Sequence, residues 1–146
     1  MARERVLLAH GNADCQKIYG SVLTFEGYEV GAATDVPSAL ALLASGHFDV
    51  VVSDLYLPNA GDECLIRVLR GSSETAHLPV IVLSGWTTEQ HRRLAMDMGA
   101  EHYLPLPIRP RELSAIVAAV LRHGDVSALP ALPRGNDIER PLTNGV

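Results

Sequence analysis

Short β-branched apolar runs alternate with stretches of helical periodicity along the first 122 residues. The runs fall at residues 6–9, 28–32, 50–53, 80–83 and 102–104. Val50-Val51-Val52 and Val80-Ile81-Val82-Leu83 are continuous, the pattern of strands covered on both faces. The outer runs are weaker, as suits sheet edges. Between the runs lie five segments with apolar residues at helical spacing. The first spans about residues 14–26 and stops at Gly27; the second opens at Asp35, with Pro37 in its first turn, and ends before Gly46. The third covers about residues 62–70, the fourth 88–98 before Gly99, and the fifth 110–122. Leu113, Ile116, Val117, Val120 and Leu121 give the fifth an unbroken i, i+3, i+4, i+7 stripe.

Strand–helix alternation repeated five times predicts an α/β fold: a parallel sheet sandwiched between two helical layers. Right-handed crossovers favour the flavodoxin-like (βα)5 arrangement with strand order 2-1-3-4-5. Function in such folds gathers at the carboxyl ends of the strands, near the switch point between the first and third.

Composition narrows the setting. The chain has 146 residues, a net charge of −5 and 47% hydrophobic residues, enough for one domain with a real core. We place that domain at residues 1–123 and read residues 124–146, which hold prolines but no helical stripe, as a flexible tail or linker. No run approaches the roughly 18 apolar residues of a membrane span. Cys15 and Cys64 are far apart and lack a CxxC or Cys/His pattern, so a disulfide framework or zinc site is not expected, and a reducing cytoplasm fits best. The acidic balance and the lack of a recognition-helix pattern after residue 122 speak against direct nucleic-acid binding. Lys17 is the only lysine.

The carboxyl ends of the runs read His10-Gly11-Asn12, Asp54, Ser84-Gly85-Trp86 and Leu106-Pro107. A buried strand ending on Asp54, with Pro58 four residues on, keeps a carboxylate where burial is costly unless something pairs with it. These features, with Gly27-Tyr28-Glu29-Val30 and Gly99-Ala100-Glu101-His102-Tyr103-Leu104, resemble the response-regulator receiver domain of two-component signalling over about residues 4–122. The resemblance implies that Asp54 is the phospho-acceptor position. It makes Ser84 the hydroxyl that turns toward the phosphoryl group and Tyr103 the aromatic whose rotamer reports activation. It also implies an acidic pair holding Mg²⁺ after the first strand and a lysine before the proline that follows the fifth strand. Here the acidic-pair positions carry His10 and Gly11, with Asn12 beside them, and the lysine position carries Leu106.

With one carboxylate in place of three, Mg²⁺ binding is expected to be weak or absent, since that cation demands oxygen ligands and an imidazole does not replace them. The expectation is an atypical receiver, not an enzyme and without a cofactor, that signals by protein contact. Its partner would be a sensor kinase or other signalling protein. One alternative is a phosphorylatable single-domain regulator using Asp54; another, of a different class, is a flavodoxin-like cofactor-binding enzyme, for which the phosphate-binding loop is missing. His10 could, when protonated, pair with Asp54, or it could sit neutral on a backbone carbonyl. Asp14 is read as the cap of the first helix. Tyr56 and Trp86, two residues beyond Asp54 and Ser84, are read as the pocket rim, either roofing the site, presenting a partner surface or simply packing. Tyr103 is a switch or a fixed edge residue. His91-Arg92-Arg93 is expected to face Asp97 and Glu101, and Ala115, Ala118 and Ala119 to permit a homodimer through the helix 4–strand 5–helix 5 face.

Overall fold

The computed structural model describes residues 3–60 and 64–123. The element order is β1 (Arg5–Ala9), α1 (Ala13–Phe25), β2 (Glu29–Ala33), α2 (Val36–Ser45), β3 (Val50–Ser53), α3 (Leu65–Arg70), β4 (Val80–Ser84), α4 (Glu89–Met98), β5 (His102–Pro105) and α5 (Pro110–His123). All five strands are parallel in the order β2-β1-β3-β4-β5, the predicted arrangement.

Strand geometry explains why the central runs are continuously apolar. Successive side chains point to opposite faces, so each strand must supply both cores. Leu7, Val51, Val80 and Val82 join Val36, Ala39, Leu65, Ile66, Leu69 and Ala95 on the face covered by α2, α3 and α4. Their neighbours Val6, Leu8, Val50, Val52, Ile81 and Leu83 join Tyr19, Leu23, Leu113, Ile116, Val117 and Val120 on the face covered by α1 and α5. The stripe read on the fifth segment is thus the inner face of α5. The edge strand β2 is more open: of its five residues only Ala33 is buried.

Helix boundaries follow local chemistry. Asn12, not Asp14, caps α1: its Oδ1 accepts from the Cys15 N–H at 2.9 Å, and Asp14 lies inside the first turn. Asp35 and Ser38 form a reciprocal capping box at the start of α2. Thr88 caps α4, and Gly99 ends it in the left-handed region at φ 111°, where a side chain would be strained. The α3 helix begins at Leu65; the expected start at Asp62 and the tail at residues 124–146 lie outside the described residues. Among the described residues no helix is long and apolar enough to cross a membrane.

Candidate functional site

β3 delivers Asp54 to the carboxyl edge of the sheet. The Asp54 backbone N–H donates to the Ala9 carbonyl at 2.9 Å, locking the end of β3 to the end of β1. One carboxylate oxygen, Oδ1, accepts from the Leu55 N–H at 2.7 Å. The other, Oδ2, lies 3.5 Å from His10 Nε2, and the Asp54 side chain keeps 18% of its exposure.

His10 is buried directly after β1, where its N–H donates to the Ala33 carbonyl at 2.9 Å. Its ring does not bond a backbone carbonyl. Instead Nδ1 accepts from the Asn12 N–H at 3.2 Å. A nitrogen that accepts carries no proton, so the neutral ring holds its hydrogen on Nε2 and aims it at Asp54. At 3.5 Å this contact is too long for a full hydrogen bond, and Nε2 has no hydrogen-bond partner.

Gly11 brings no donor and has no room for one without adjustment: a Cβ there would stand 3.0 Å from Pro58 Cδ and 3.1 Å from Cγ. Asn12 is committed to capping α1. Leu106 is half-buried with the α1/α5 core, and its N–H donates to the Ser84 carbonyl at 2.8 Å. The peptide bond to Pro107 is cis. Among residues 10–12, 54, 84–86 and 106, only Asp54 offers a carboxylate. A hard divalent cation takes six or more oxygens in its shell. This donor set does not fit it, and no group of three or more His, Cys, Asp or Glu among the described residues could hold a metal ion.

Ser84 is buried at the end of β4, and its Oγ accepts from the Trp86 N–H at 3.1 Å. Tyr103 is turned inward at 6% exposure, with its hydroxyl donating to the Trp86 carbonyl. Burial pushes the Tyr103 phenol up, opposed by its bond to Ser84 and reinforced by the Asp54 charge. Burial likewise raises the Cys15 thiol, with the charges of Asp54 and then Asp14 adding to the effect. The field at this edge is therefore negative.

Tyr56 and Trp86 are 47% and 52% exposed, and they meet edge to face with centroids 5.7 Å apart. His91 completes the cluster, 5.8 Å from Tyr56 and 4.9 Å from Trp86. His91, expected with Arg92 and Arg93 to face Asp97 and Glu101, instead packs on these two rings, its Nδ1 2.6 Å from the Thr88 hydroxyl. Gln16 is a residue that sequence reading misses. Its amide nitrogen donates to the carbonyls of Leu8 at 3.0 Å, His10 at 3.1 Å and Ala33 at 2.7 Å, tying the ends of β1 and β2 around His10.

Two further expectations change. Arg92 and Arg93 pair with Glu89, at 2.5 and 3.7 Å, instead of facing Asp97 and Glu101, because a glutamate one turn N-terminal is within easy reach on the helix. Glu101 lies 3.8 Å from Arg70. Ala119 is fully buried in the domain itself, leaving only Ala115 exposed and Ala118 half-exposed among the three helix 5 alanines.

The comparisons with known proteins agree with this architecture. The family model for the response regulator receiver domain matches residues 6–118. The chain is 33% identical over 118 residues to the transcriptional regulatory protein CpxR of Klebsiella pneumoniae, covering 81% of this chain and 49% of that protein. It is 34% identical over 131 residues to the sensory transduction protein RegX3 of Mycolicibacterium smegmatis, covering 84% and 56%. The chain thus spans about half the length of the curated relatives it matches. The chemotaxis protein CheY4 of Vibrio cholerae superposes with a TM-score of 0.74 at 28% identity, covering 82% of this chain and 99% of that one. Fold, strand-end chemistry and family match converge: this chain belongs to the response regulator receiver domain family.

Proposed function

We propose that this receiver is an atypical member of its family, relaying signals by protein contact without conventional Mg²⁺-dependent phosphorylation. The observation that carries the reading is the lone Asp54 carboxylate facing a neutral imidazole N–H at 3.5 Å, beside a Gly11 backed against Pro58. Phosphoryl transfer to Asp54 would set concentrated negative charge beside His10, with no group of metal ligands and no lysine or arginine ion-paired with Asp54 among the described residues to offset it. Its partners in this reading are a sensor kinase or another signalling protein, in a reducing cytoplasm that suits the free Cys15 and Cys64. Met96 on α4, exposed at 36%, would contribute to a homodimer through the α4–β5–α5 face.

The competing reading, a phosphorylatable regulator, draws on the residual exposure of Asp54 and requires it as a nucleophile. Mg²⁺ binding separates the two. Titrating the full chain with MgCl2 by calorimetry, with Trp86 fluorescence recorded alongside, should give no saturable response. A saturable response that Asp54→Asn abolishes would overturn the proposal.

A further inference from the structure

The amino-terminal edge of the sheet, opposite the Asp54 edge, carries an apolar groove of about 500 Å³ between the ends of α2 and α3. Half-buried Leu40, Leu43 and Val68 line it together with buried Phe48, Leu69 and Leu78. Phe48 and Leu78 stand just before β3 and β4, which fixes the groove at that edge. Ligand clefts run from about 300 to 1,000 Å³, so a few side chains suffice to fill this one.

α5 ends at the same edge. It starts beyond the carboxyl end of β5, and its 14 residues carry it back about 20 Å along the sheet. Arg122, in its last turn, is near enough to Tyr28, just before β2, to act on the phenol: burial raises the Tyr28 pKa, the Glu4 and Glu26 charges add to the rise, and Arg122 opposes it. The chain then continues Gly124-Asp125-Val126-Ser127-Ala128-Leu129-Pro130-Ala131-Leu132-Pro133-Arg134. Leu129 and Leu132 each precede a proline, which disfavours helical backbone and favours extended backbone. In an extended helix of three residues per turn, Val126, Leu129 and Leu132 share one edge, an apolar strip.

We propose that residues 126–133 of this same chain dock in the groove, setting Val126, Leu129 and Leu132 against Leu40, Leu43 and Val68. Reach allows it: between His123 and Leu132 an extended chain covers up to about 30 Å. The helical layer on the opposite face lies roughly 20 Å away, two helix diameters. Charge agrees as well, since Glu74 stands on the rim of the groove and Arg134 follows Pro133. The groove lies at the far end of the sheet from Asp54, so the inference goes beyond the contact-signalling reading and stands or falls independently of it.

NMR of the isotope-labelled full chain tests the contact. The expected result is a set of methyl NOEs from Leu129 and Leu132 to Leu40 and Val68. In the Leu129→Asp/Leu132→Asp double variant, the amide signals of residues 43–48 and 68–78 should shift while that of Asp54 stays in place. Absence of the NOEs, or unchanged groove signals in the variant, would overturn the inference. So would the same NOEs arising between labelled and unlabelled copies in a mixed sample, which would make a second copy the occupant.

Discussion

Arg70 and Asp54 are both charged side chains with about a fifth of their surface exposed, at 22% and 18%, yet their surroundings differ sharply. Arg70 spends its guanidinium on backbone carbonyls. Nε and Nη2 donate to Gly99 at 3.2 and 2.7 Å, while Nη1 donates to Ala76 at 3.1 Å and Leu78 at 2.6 Å. It clasps the end of α3, the loop before β4 and the turn before β5 into one unit. Asp54 has one normal hydrogen bond to its side chain and an imidazole held just out of range. A buried charge whose bonds are all made belongs to the scaffold; one whose bonds are left open is available for a ligand or partner. The difference sets Arg70 apart as scaffold from Asp54 as candidate site.

Cutting the clasp should have the largest effect. Arg70→Ala strands three backbone carbonyls and should cost about 2–4 kcal/mol, read as a lower urea midpoint. A loss no greater than that of Asp54→Asn would erase the contrast between the two regions.

A second test concerns His102. His102 is largely buried at the start of β5, its Nε2 lacks a partner, and burial lowers its pKa to about 4. The unfolded chain therefore binds the extra proton first, as pH falls below about 6.5. Stability is fully present above that pH and is lost toward pH 4, by up to about 3 kcal/mol. Urea unfolding across this window should show the slope, and His102→Gln should flatten it. Retention of the whole slope in that variant would assign the acid sensitivity elsewhere.

Smaller effects follow from single bonds. The Tyr19 hydroxyl donates to the Ile108 carbonyl at 2.7 Å and accepts from the Ile108 N–H at 3.3 Å, pinning α1 to the loop before α5. Tyr19→Phe should cost about 1 kcal/mol in the same assay. Trp86→Ala, at an exposed rim position, should change stability by no more than about 0.5 kcal/mol. A large loss there would make the rim part of the scaffold.

The five strands, their order and the strand-end residues were legible because hydrophobic period and chain order are local properties of the sequence. Asp54 and Ser84 lie at the carboxyl edge, as their places at strand ends required, and Tyr103, the second residue of β5, reaches the Trp86 carbonyl. What could not be read depends on side-chain geometry. Whether Asn12 or Asp14 caps α1 turns on two residues of helix onset. The choice of Glu89 over Asp97 by Arg92 turns on which turn of α4 the side chain reaches. The tautomer of His10 hangs on the Asn12 N–H, and Gln16 reaches one carbonyl each in β1, in β2 and at His10, a convergence no spacing rule contains.

The central claim is that Asp54 no longer serves conventional phosphorylation. The most direct measurement is the intact mass of the folded full chain after incubation with acetyl phosphate and Mg²⁺, with Asp54→Asn alongside. The account predicts no phosphoryl adduct that depends on Asp54. An adduct present in the natural chain and absent from the variant would contradict it.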